Sequence, residues 1–333
     1  MSSSPPVKPP SPELILATLT AHERSAALGA AIQLDVFSAI AAGAQTPTAI
    51  AAAISASERG VRILCDYLVI AGLLTKTEAS YALTPDAAAF LDRRSPQYLG
   101  DAIEFLQAPE RERHFGDLAA AVRQGGSRQV ESVPDWDGWV SFARAMGGFM
   151  APLAEMIAER FGPVSGRILD VAAGHGRFGL AFARRSAAAE VTALDAAPVL
   201  AVARENAARA GVQSRYHLLP GDAFKIPLGE NYALILLPNF LHHYAPGVIV
   251  PLLRHIRAAS ATGGQVLVVE FVPNPDRVSP PMAAGFSLTM LASTPEGDAY
   301  TFAEYEDMFR QAGFPRLEAH PLPGPQTVLL ARP

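Results

Sequence analysis

The sequence predicts an α/β fold in which a doubly wound parallel sheet follows a helical domain of the winged helix-turn-helix type. From Arg167 onward, short apolar runs alternate with helical segments. A glycine-rich loop follows the first of these runs. Before residue 101, short helices with clear N-terminal signals flank a β-hairpin pattern. Strands that are apolar on both faces and are joined by crossover helices form parallel sheets, which is why this alternation decides the fold class.

The composition favours a globular protein of two domains. The chain has 333 residues, of which 50% are hydrophobic and 18% charged, and its net charge is −5. This apolar content supports a sizeable core and excludes global disorder, and no apolar run reaches the ~18 residues of a membrane span. Cys65 is the single cysteine and cannot form an internal disulfide. The N-terminus lacks the apolar segment of a secretory signal, so we expect a cytoplasmic protein.

The chain divides into four expected segments. Residues 1–12 are Ser, Pro and little else, and they predict a flexible tail. Residues 13–100 are expected to form the winged-helix domain, and residues 101–160 are expected to form linking helices. Residues 161–333 then form the α/β domain.

Helix signals and one hairpin define the N-terminal domain. Thr46-Pro47 predicts the N-cap and first position of a short helix. Ser55 and Glu58 match a capping box for the next helix, whose apolar residues recur on one face. Residues 73–84 predict a β-hairpin with a polar tip. Two helices, a tight turn and a hairpin together predict a winged helix-turn-helix.

Because this motif often binds DNA, a DNA-binding regulator is one alternative. DNA binding requires a basic surface that contacts phosphates. The candidate recognition helix has no net charge, since its charged residues are Glu58, Arg59, Arg62 and Asp66. The run 26–40 is nearly all apolar and predicts a protein–protein surface. We therefore expect a homodimer formed through the N-terminal domain, with no nucleic-acid or membrane partner.

The C-terminal domain alternates strands and helices and ends in a hairpin. The candidate strands are Arg167–Val171, Glu190–Leu194, Arg215–Leu219, Ala233–Leu237 and Gln265–Phe271, and the candidate helices are Arg177–Arg185, Pro198–Ala210 and Val248–Ala259. Thr301 and Glu304 match a capping box that opens a further helix. Residues 316–322 and 326–331 predict an antiparallel hairpin at the sheet edge.

The glycine-rich loop between the first strand and its helix predicts a ligand site. Gly174, Gly176 and Gly179 spell G-x-G-x-x-G, so a dinucleotide and a redox enzyme form one alternative. Asp170, at the end of the strand, would repel a pyrophosphate but could accept a hydrogen bond from an amino-acid ammonium group. S-adenosylmethionine carries such an amine and no phosphate, and Asp170 therefore favours it over a dinucleotide.

Two further carboxylates end the next two strands. Asp195 is expected to take both ribose hydroxyls of the cofactor. Asp222 is expected to accept the adenine amino group, while Ala223 or Phe224 packs on the ring. Because the carboxyl ends of parallel strands meet in one crevice, these residues and Asp170 together predict a cofactor site.

In combination the motifs resemble the S-adenosylmethionine-dependent O-methyltransferases of the caffeate and hydroxyindole (acetylserotonin) type, in their bacterial small-molecule branch. The resemblance rests on the winged helix and on the sequences DVAAGHG (170–176), GDAF (221–224), FLHHY (240–244) and VEFVP (269–273). It implies a seven-stranded Rossmann-like methyltransferase sheet, a dimerisation role for the N-terminal domain, and a small aromatic acceptor with a hydroxyl group. Ala172 stands where the family has its first loop glycine, a change we expect to tighten the loop without abolishing binding.

The resemblance also implies the catalytic residues. His242 stands at the position of the family's general base, and Glu270 stands at the carboxylate that orients it. A carboxylate beside a His holds one tautomer and stabilises the imidazolium. Asn239 is predicted to contact the cofactor.

Four residues are expected to line the acceptor pocket: Phe142, Met146, His243 and Met290. Phe142 and Met146 match a Phe-x-x-x-Met pattern of the family, and Met290 matches a methionine beside the acceptor. We predict no metal site, because the adjacent pair of histidines at 242 and 243 has no suitably spaced third ligand.

The sequence departs from the family at a second orienting carboxylate. That position aligns with Ala299, so the acid is either missing or supplied by Asp298. The acceptor is then an already acidic phenol flanked by a carbonyl, or an enol carbon, or a group for which proximity suffices. C-methylation of an enolisable acid or polyketide is therefore a second alternative.

Overall fold

The computed structural model describes residues 10–128 and 138–333, which form two compact units that divide after Gln107. Residues 1–9 of the expected tail lie outside the described residues. No helix in the described ranges is long and apolar enough to cross a membrane.

The first unit contains short helices and one two-stranded sheet. Its elements are α1 (Glu13–Leu19), α2 (Ala21–Gln33), α3 (Val36–Ala41), α4 (Pro47–Ala53), α5 (Glu58–Ile70), β1 (Leu74–Thr77), β2 (Ser80–Leu83), α6 (Pro85–Phe90) and α7 (Gly100–Leu106). β1 and β2 pair antiparallel, with Leu74 opposite Leu83, as the hairpin pattern predicts.

One predicted helix cap is correct and another is wrong. The Thr46 side chain accepts the Ala49 N–H at 3.2 Å and caps α4. The cap of α5 is Ser57, whose hydroxyl accepts the Gly60 N–H at 3.1 Å, and the predicted capping box from Ser55 does not form. Ser55 has a left-handed φ of 53°, whereas an N-cap residue has an extended backbone.

The apolar run 26–40 is not the exposed patch that the sequence predicts. Ile32, Val36 and Phe37 are all at most 2% exposed and pack into the core of the first unit, because α2 and α3 both turn their apolar faces inward. A run of exposed apolar side chains lies instead on α1. Leu14, Ile15, Leu16 and Leu19 are each more than half exposed.

Two basic side chains of the predicted DNA-binding surface are engaged by the same carboxylate. Arg62 and Lys76 lie 3.1 and 2.5 Å from Asp66. This pairing reduces the positive charge that α5 and the hairpin could offer to phosphates.

The second unit is the α/β domain. Its elements are α8 (Pro109–Gly116), α9 (Leu118–Gln124), α10 (Gly138–Phe161), β3 (Gly166–Val171), α11 (Arg177–Arg185), β4 (Ala189–Asp195), α12 (Ala197–Arg209), β5 (Tyr216–Pro220), β6 (Tyr232–Pro238), α13 (Pro246–Ala259), β7 (Ser260–Phe271), α14 (Pro281–Ser293), α15 (Phe302–Gln311), β8 (Arg316–Pro321) and β9 (Gln326–Arg332). The capping box predicted at Thr301 and Glu304 opens α15.

These strands form one seven-stranded sheet in the order β5-β4-β3-β6-β7-β9-β8. The strands from β5 to β7 are parallel, and β8 and β9 form the predicted antiparallel hairpin at one edge. The doubly wound α/β fold is thus confirmed. The order of the chain reverses between β3 and β6, so the crevice at their carboxyl ends is the expected ligand site.

Candidate active site

The glycine-rich loop folds over the carboxyl end of β3 and is tied to β4. Gly174 and Gly176 have φ of 54° and 73°, which glycine adopts at no steric cost, and Ala172 has a φ of 52°. Asp195, at the end of β4, accepts the Gly174 N–H at 2.8 Å and the Ala196 N–H at 2.7 Å. Burial raises the pKa of Asp195. Each carboxylate oxygen retains a second lone pair, so the residue can hold the loop and still accept from a ligand.

Asp170 lies underneath this loop. It is 0% exposed, and its Oδ2 accepts the Gly179 N–H at 3.0 Å, while Oδ1 has no partner within the described residues. Burial, and secondarily the charge of Asp195, raise the pKa of Asp170 to about 7. Through this hydrogen bond Asp170 supports the first turn of α11, which follows the loop. Its contact with a cofactor amine stays a prediction.

Tyr216 is a second support of the loop and is not predicted from the sequence. Its hydroxyl contacts the place that a Cβ on Gly176 would occupy, and it has no hydrogen-bond partner within the described residues. Burial, and then the charges of Asp170 and Asp195, raise the pKa of Tyr216. No local pattern marks this tyrosine, because its contact depends on the pairing of β5 with β4.

The segment after β5 carries the third predicted carboxylate. Asp222 accepts the Phe224 N–H at 3.0 Å and lies 3.1 Å from Lys225 Nζ. Ala223 is buried, and the Phe224 ring meets the Tyr244 ring edge-on with centroids 4.8 Å apart. Burial, and then the charges of Asp222 and Asp195, raise the pKa of Tyr244.

The predicted base and its carboxylate form a buried pair. After β6, Asn239 turns the chain with a φ of 55°, and Leu241–His243 form a short 3₁₀ turn. Glu270 is 0% exposed on β7, and its Oε2 lies 2.5 Å from Nδ1 of the His242 ring, which is itself almost completely buried. A carboxylate can only accept, so Nδ1 carries the proton and Nε2 keeps a free lone pair.

The other oxygen of Glu270 holds the backbone of the same turn. Oε1 accepts the N–H groups of Phe240, Leu241 and His242 at 3.1, 2.8 and 3.3 Å. One buried side chain therefore fixes both the ring of His242 and the backbone that carries it.

Aromatic rings surround this pair. The Phe286 ring on α14 meets the His242 ring edge-on at 4.8 Å between centroids, and the His243 ring lies at 4.3 Å. Burial, and then His242, lower the pKa of His243, so its ring is neutral near pH 7. Trp139 on α10 meets His243 at 5.7 Å and Phe142 at 5.4 Å.

Three of the predicted acceptor residues lie on two helices, Phe142 and Met146 on α10 and Met290 on α14. Met146 on α10 and Met290 on α14 are buried. Trp139 and Phe286 are not among the residues predicted from the sequence, although each stands one helical turn from a predicted residue, at i−3 of Phe142 and i−4 of Met290. That spacing is the signal that could have found them.

Asp298 does not replace the second orienting carboxylate. Its side chain accepts from Arg277 at 3.2 Å and from the Ala299 N–H at 2.8 Å. Only its backbone reaches the base, because the Asp298 N–H donates to the His242 carbonyl at 3.0 Å. Ala299 is fully buried. In residues 10–128 and 138–333, we find no group of three or more His, Cys, Asp or Glu side chains that could hold a metal ion.

Two family models match the chain. Residues 154–315 match the O-methyltransferase domain, and residues 16–93 match the O-methyltransferase dimerisation domain. Acetylserotonin O-methyltransferase of Mus musculus is 31% identical over 330 residues, which cover 92% of this chain and 84% of the relative. The 3-hydroxy-5-methyl-1-naphthoate 3-O-methyltransferase of Streptomyces sahachiroi is 29% identical, with coverage of 91% and 89%.

Solved structures agree with these matches. A Nostoc punctiforme protein of 50% sequence identity superposes with a TM-score of 0.94, covering 97% of this chain and 99% of its own. Human N-acetylserotonin methyltransferase, solved in complex with SAM, superposes with a TM-score of 0.86 at 26% identity, covering 100% and 99%. Sequence and structure together show that the chain belongs to the S-adenosylmethionine-dependent O-methyltransferase family.

Proposed function

We propose that this protein methylates a hydroxyl group of a small aromatic metabolite, with His242 as the general base and Glu270 as the carboxylate that orients it. The observation that carries the proposal is the 2.5 Å contact between Glu270 Oε2 and His242 Nδ1 in a buried setting. It leaves Nε2 as the one basic nitrogen of that ring. Relatives named for acetylserotonin and for a hydroxynaphthoate support an aromatic acceptor.

The donor and acceptor groups of the crevice fit S-adenosylmethionine. The loop at Gly174 and Gly176 would border the cofactor closely, and the carboxylates of Asp195 and Asp222 would accept hydrogen bonds from its polar groups. Ala223 and Phe224 would pack against its adenine. Carboxylates suit an amine and ribose hydroxyls and oppose a diphosphate, which weighs against a dinucleotide. The cofactor supplies a methyl carbon bound to a positively charged sulfur.

The chain's own residues then align the acceptor and take its proton. As the acceptor oxygen forms its bond to the methyl carbon, the carbon–sulfur bond breaks and its electron pair stays on sulfur. His242 Nε2 receives the hydroxyl proton, and the negative charge of Glu270 stabilises the imidazolium. The proton then leaves the imidazolium for water. Burial of both side chains strengthens this electrostatic term, because little solvent screens it.

The walls near the base favour a flat acceptor. We assign Phe142, Met146, His243 and Met290 to this pocket, with the Phe286 ring as a further wall. Because Ala299 supplies no second carboxylate, the acceptor hydroxyl should be more acidic than a simple phenol. The same absence fits an enol carbon, so C-methylation is a second candidate. Product analysis separates the two, since a C-methyl group survives acid hydrolysis.

The N-terminal unit is proposed to form a homodimer. Four apolar side chains of α1 are more than half exposed: Leu14, Ile15, Leu16 and Leu19. Contact with a second copy of the chain would bury them, which supports the proposal. Light scattering on the purified chain should give twice the mass of 35.2 kDa, and Leu16→Glu should lower it. A monomeric wild type would contradict the proposal.

Two substitutions test the catalytic assignment. His242→Gln should lower kcat by about 10²–10⁴-fold and leave the affinity for S-adenosylhomocysteine unchanged. His217→Gln, at an exposed position, is the matched control. Asp195→Ala should weaken cofactor binding in calorimetry. A fully active His242→Gln enzyme would mean that proximity alone drives the reaction.

A further inference from the structure

Gln326 is a buried amide that the catalytic assignment leaves unused. It is the first residue of β9 and is only 6% exposed. It lies beyond residue 315, where the match to the O-methyltransferase domain ends. The pairing of β9 with β7 sets Gln326 opposite Phe271, next to the strand position of Glu270. Glutamine is seldom this buried without a polar partner, so its partner is informative.

That partner is Asn239, which turns the chain out of β6 toward the base. The Gln326 amide Nε2 donates to Asn239 Oδ1. The Asn239 backbone N–H donates to the Val269 carbonyl at 2.8 Å. With a left-handed φ of 55°, Asn239 is held at its backbone by β7 and at its side-chain oxygen by β9.

This arrangement fixes which end of the Asn239 amide is available. The oxygen is occupied by Gln326, whereas the NH₂ group, with two N–H donors, has no partner within the described residues and is not enclosed in the core. Asn239 stands three residues before His242, at the same edge of the sheet. Its contacts run to β7 and β9, the side of the sheet that carries Glu270. Among the described residues, none of its hydrogen bonds runs to β3 or β4, which carry the glycine-rich loop and Asp195.

From this geometry we propose that Asn239, positioned by Gln326, donates a hydrogen bond to an oxygen atom on the acceptor that neighbours the reacting hydroxyl. The inference rests on the proposed function, and it moves Asn239 from the predicted cofactor contacts to the acceptor pocket. It narrows the substrate class to hydroxyaromatics that bear a carbonyl oxygen beside the hydroxyl. An acceptor of this class also compensates for the second carboxylate that Ala299 does not supply. A neighbouring carbonyl that receives a hydrogen bond withdraws negative charge from the phenolate as the phenolate forms.

The test compares two probes of equal size. 2′-Hydroxyacetophenone has a carbonyl beside its hydroxyl, and 2-isopropylphenol has a methine carbon of similar shape. Binding of each to the full chain, saturated with S-adenosylhomocysteine, is measured by calorimetry. We expect the wild type to bind the first probe about ten- to a hundredfold more tightly, which is the usual cost of leaving a donor unpaired.

Three variants separate positioning from packing. Asn239→Ala and Gln326→Leu should both bring the affinity ratio close to one, and the double variant should add nothing further. In Gln326→Glu the carboxylate can only accept, so it should turn the Asn239 NH₂ group toward itself and invert the preference. Gln311→Leu, which removes an exposed amide on α15, is the matched control and should keep the wild-type ratio.

The outcomes distinguish this inference from the proposed function. Failure of the wild type to bind S-adenosylhomocysteine would refute the proposed function. Cofactor binding without a difference between the probes, including no binding of either, would overturn only the role of Asn239. A ratio that persists in Asn239→Ala would overturn it as well, and a loss of cofactor affinity in that variant would return Asn239 to the cofactor site.

Discussion

Replacing Glu270 with glutamine should separate the two tasks of this carboxylate. Oε1 accepts three backbone N–H groups, and a glutamine oxygen can still accept them. Oε2 lies 2.5 Å from His242 Nδ1, and an NH₂ group in its place donates where the carboxylate accepts. Nδ1 must then become the acceptor, so the proton moves to Nε2 and the lone pair that takes the substrate proton is lost.

The expected magnitude follows from this tautomer change. General-base catalysis contributes about 10²–10⁴-fold, and forcing the wrong tautomer of a catalytic His in a hydrolase triad costs about 10⁴-fold. We expect Glu270→Gln to lower kcat within this range. The fold should survive, because the three backbone donors keep their acceptor.

Glu270→Ala provides the contrast in stability. It leaves three N–H groups without their acceptor, two of them buried and that of Phe240 partly buried, at about 1–3 kcal/mol each, or roughly 3–9 kcal/mol in all. Since a whole domain is stable by about 5–15 kcal/mol, this variant should be largely unfolded or should unfold at much lower urea.

The assay measures methylated product by mass spectrometry in single turnovers, with S-adenosylhomocysteine affinity measured by calorimetry and unfolding followed in urea. Glu190→Gln, at an exposed position on β4, is the matched control. Glu270→Gln with more than a third of the wild-type kcat would refute the tautomer argument. Glu270→Ala with wild-type stability would refute the role of Oε1.

Three further changes test the supports of the site. Burial raises the pKa of Asp170 in the folded state to about 7, from its ordinary 3.8. The unfolded chain therefore loses this proton at lower pH than the folded chain does. As a result, the free energy of unfolding falls by up to about 4 kcal/mol as pH rises from about 4 to 7. Asp170→Asn should therefore gain stability over the wild type across that window in urea titrations, and a pH-independent difference would contradict this. Ala172→Gly should raise the unfolding midpoint by about 1–3 °C, because a left-handed alanine costs about 1 kcal/mol, whereas Ala173→Gly, whose φ is not positive, should lower it. Gly297→Ala would put a methyl group 2.6 Å from Thr294 Oγ1 and against the His242 carbonyl, so kcat should fall by more than tenfold, while Gly247→Ala, with open space around it, should have no such effect.

Local patterns predict the strands, the cap of α15 and the edge hairpin because each depends on residues close in sequence. The prediction fails at Ser55, where a left-handed turn moves the cap to Ser57. It also fails for the run 26–40, because an apolar helix reveals how much surface it must bury and not what covers it.

The pairing of His242 with Glu270 could be predicted because both residues follow from the family motifs. The support of Gly176 by Tyr216, the pairing of Asp298 with Arg277 and the contact of Gln326 with Asn239 could not. Each joins side chains from separate elements, and their orientation depends on strand register and on which face of a strand a residue occupies.

Helix α10 has a consequence for how the two ligands of this enzyme influence one another. A methyl group on Gly147 would lie 3.3 Å from His175 Cβ in the glycine-rich loop, so the helix touches that loop closely. Five residues earlier, or about 7.5 Å along the axis, Phe142 lies beside Trp139 at the aromatic end. Because α10 contacts the glycine-rich loop and also carries these aromatic residues, a shift of the helix at one end should move the other end. Binding of the cofactor should therefore change the affinity for the acceptor, and binding of the acceptor should change the affinity for the cofactor by the same factor.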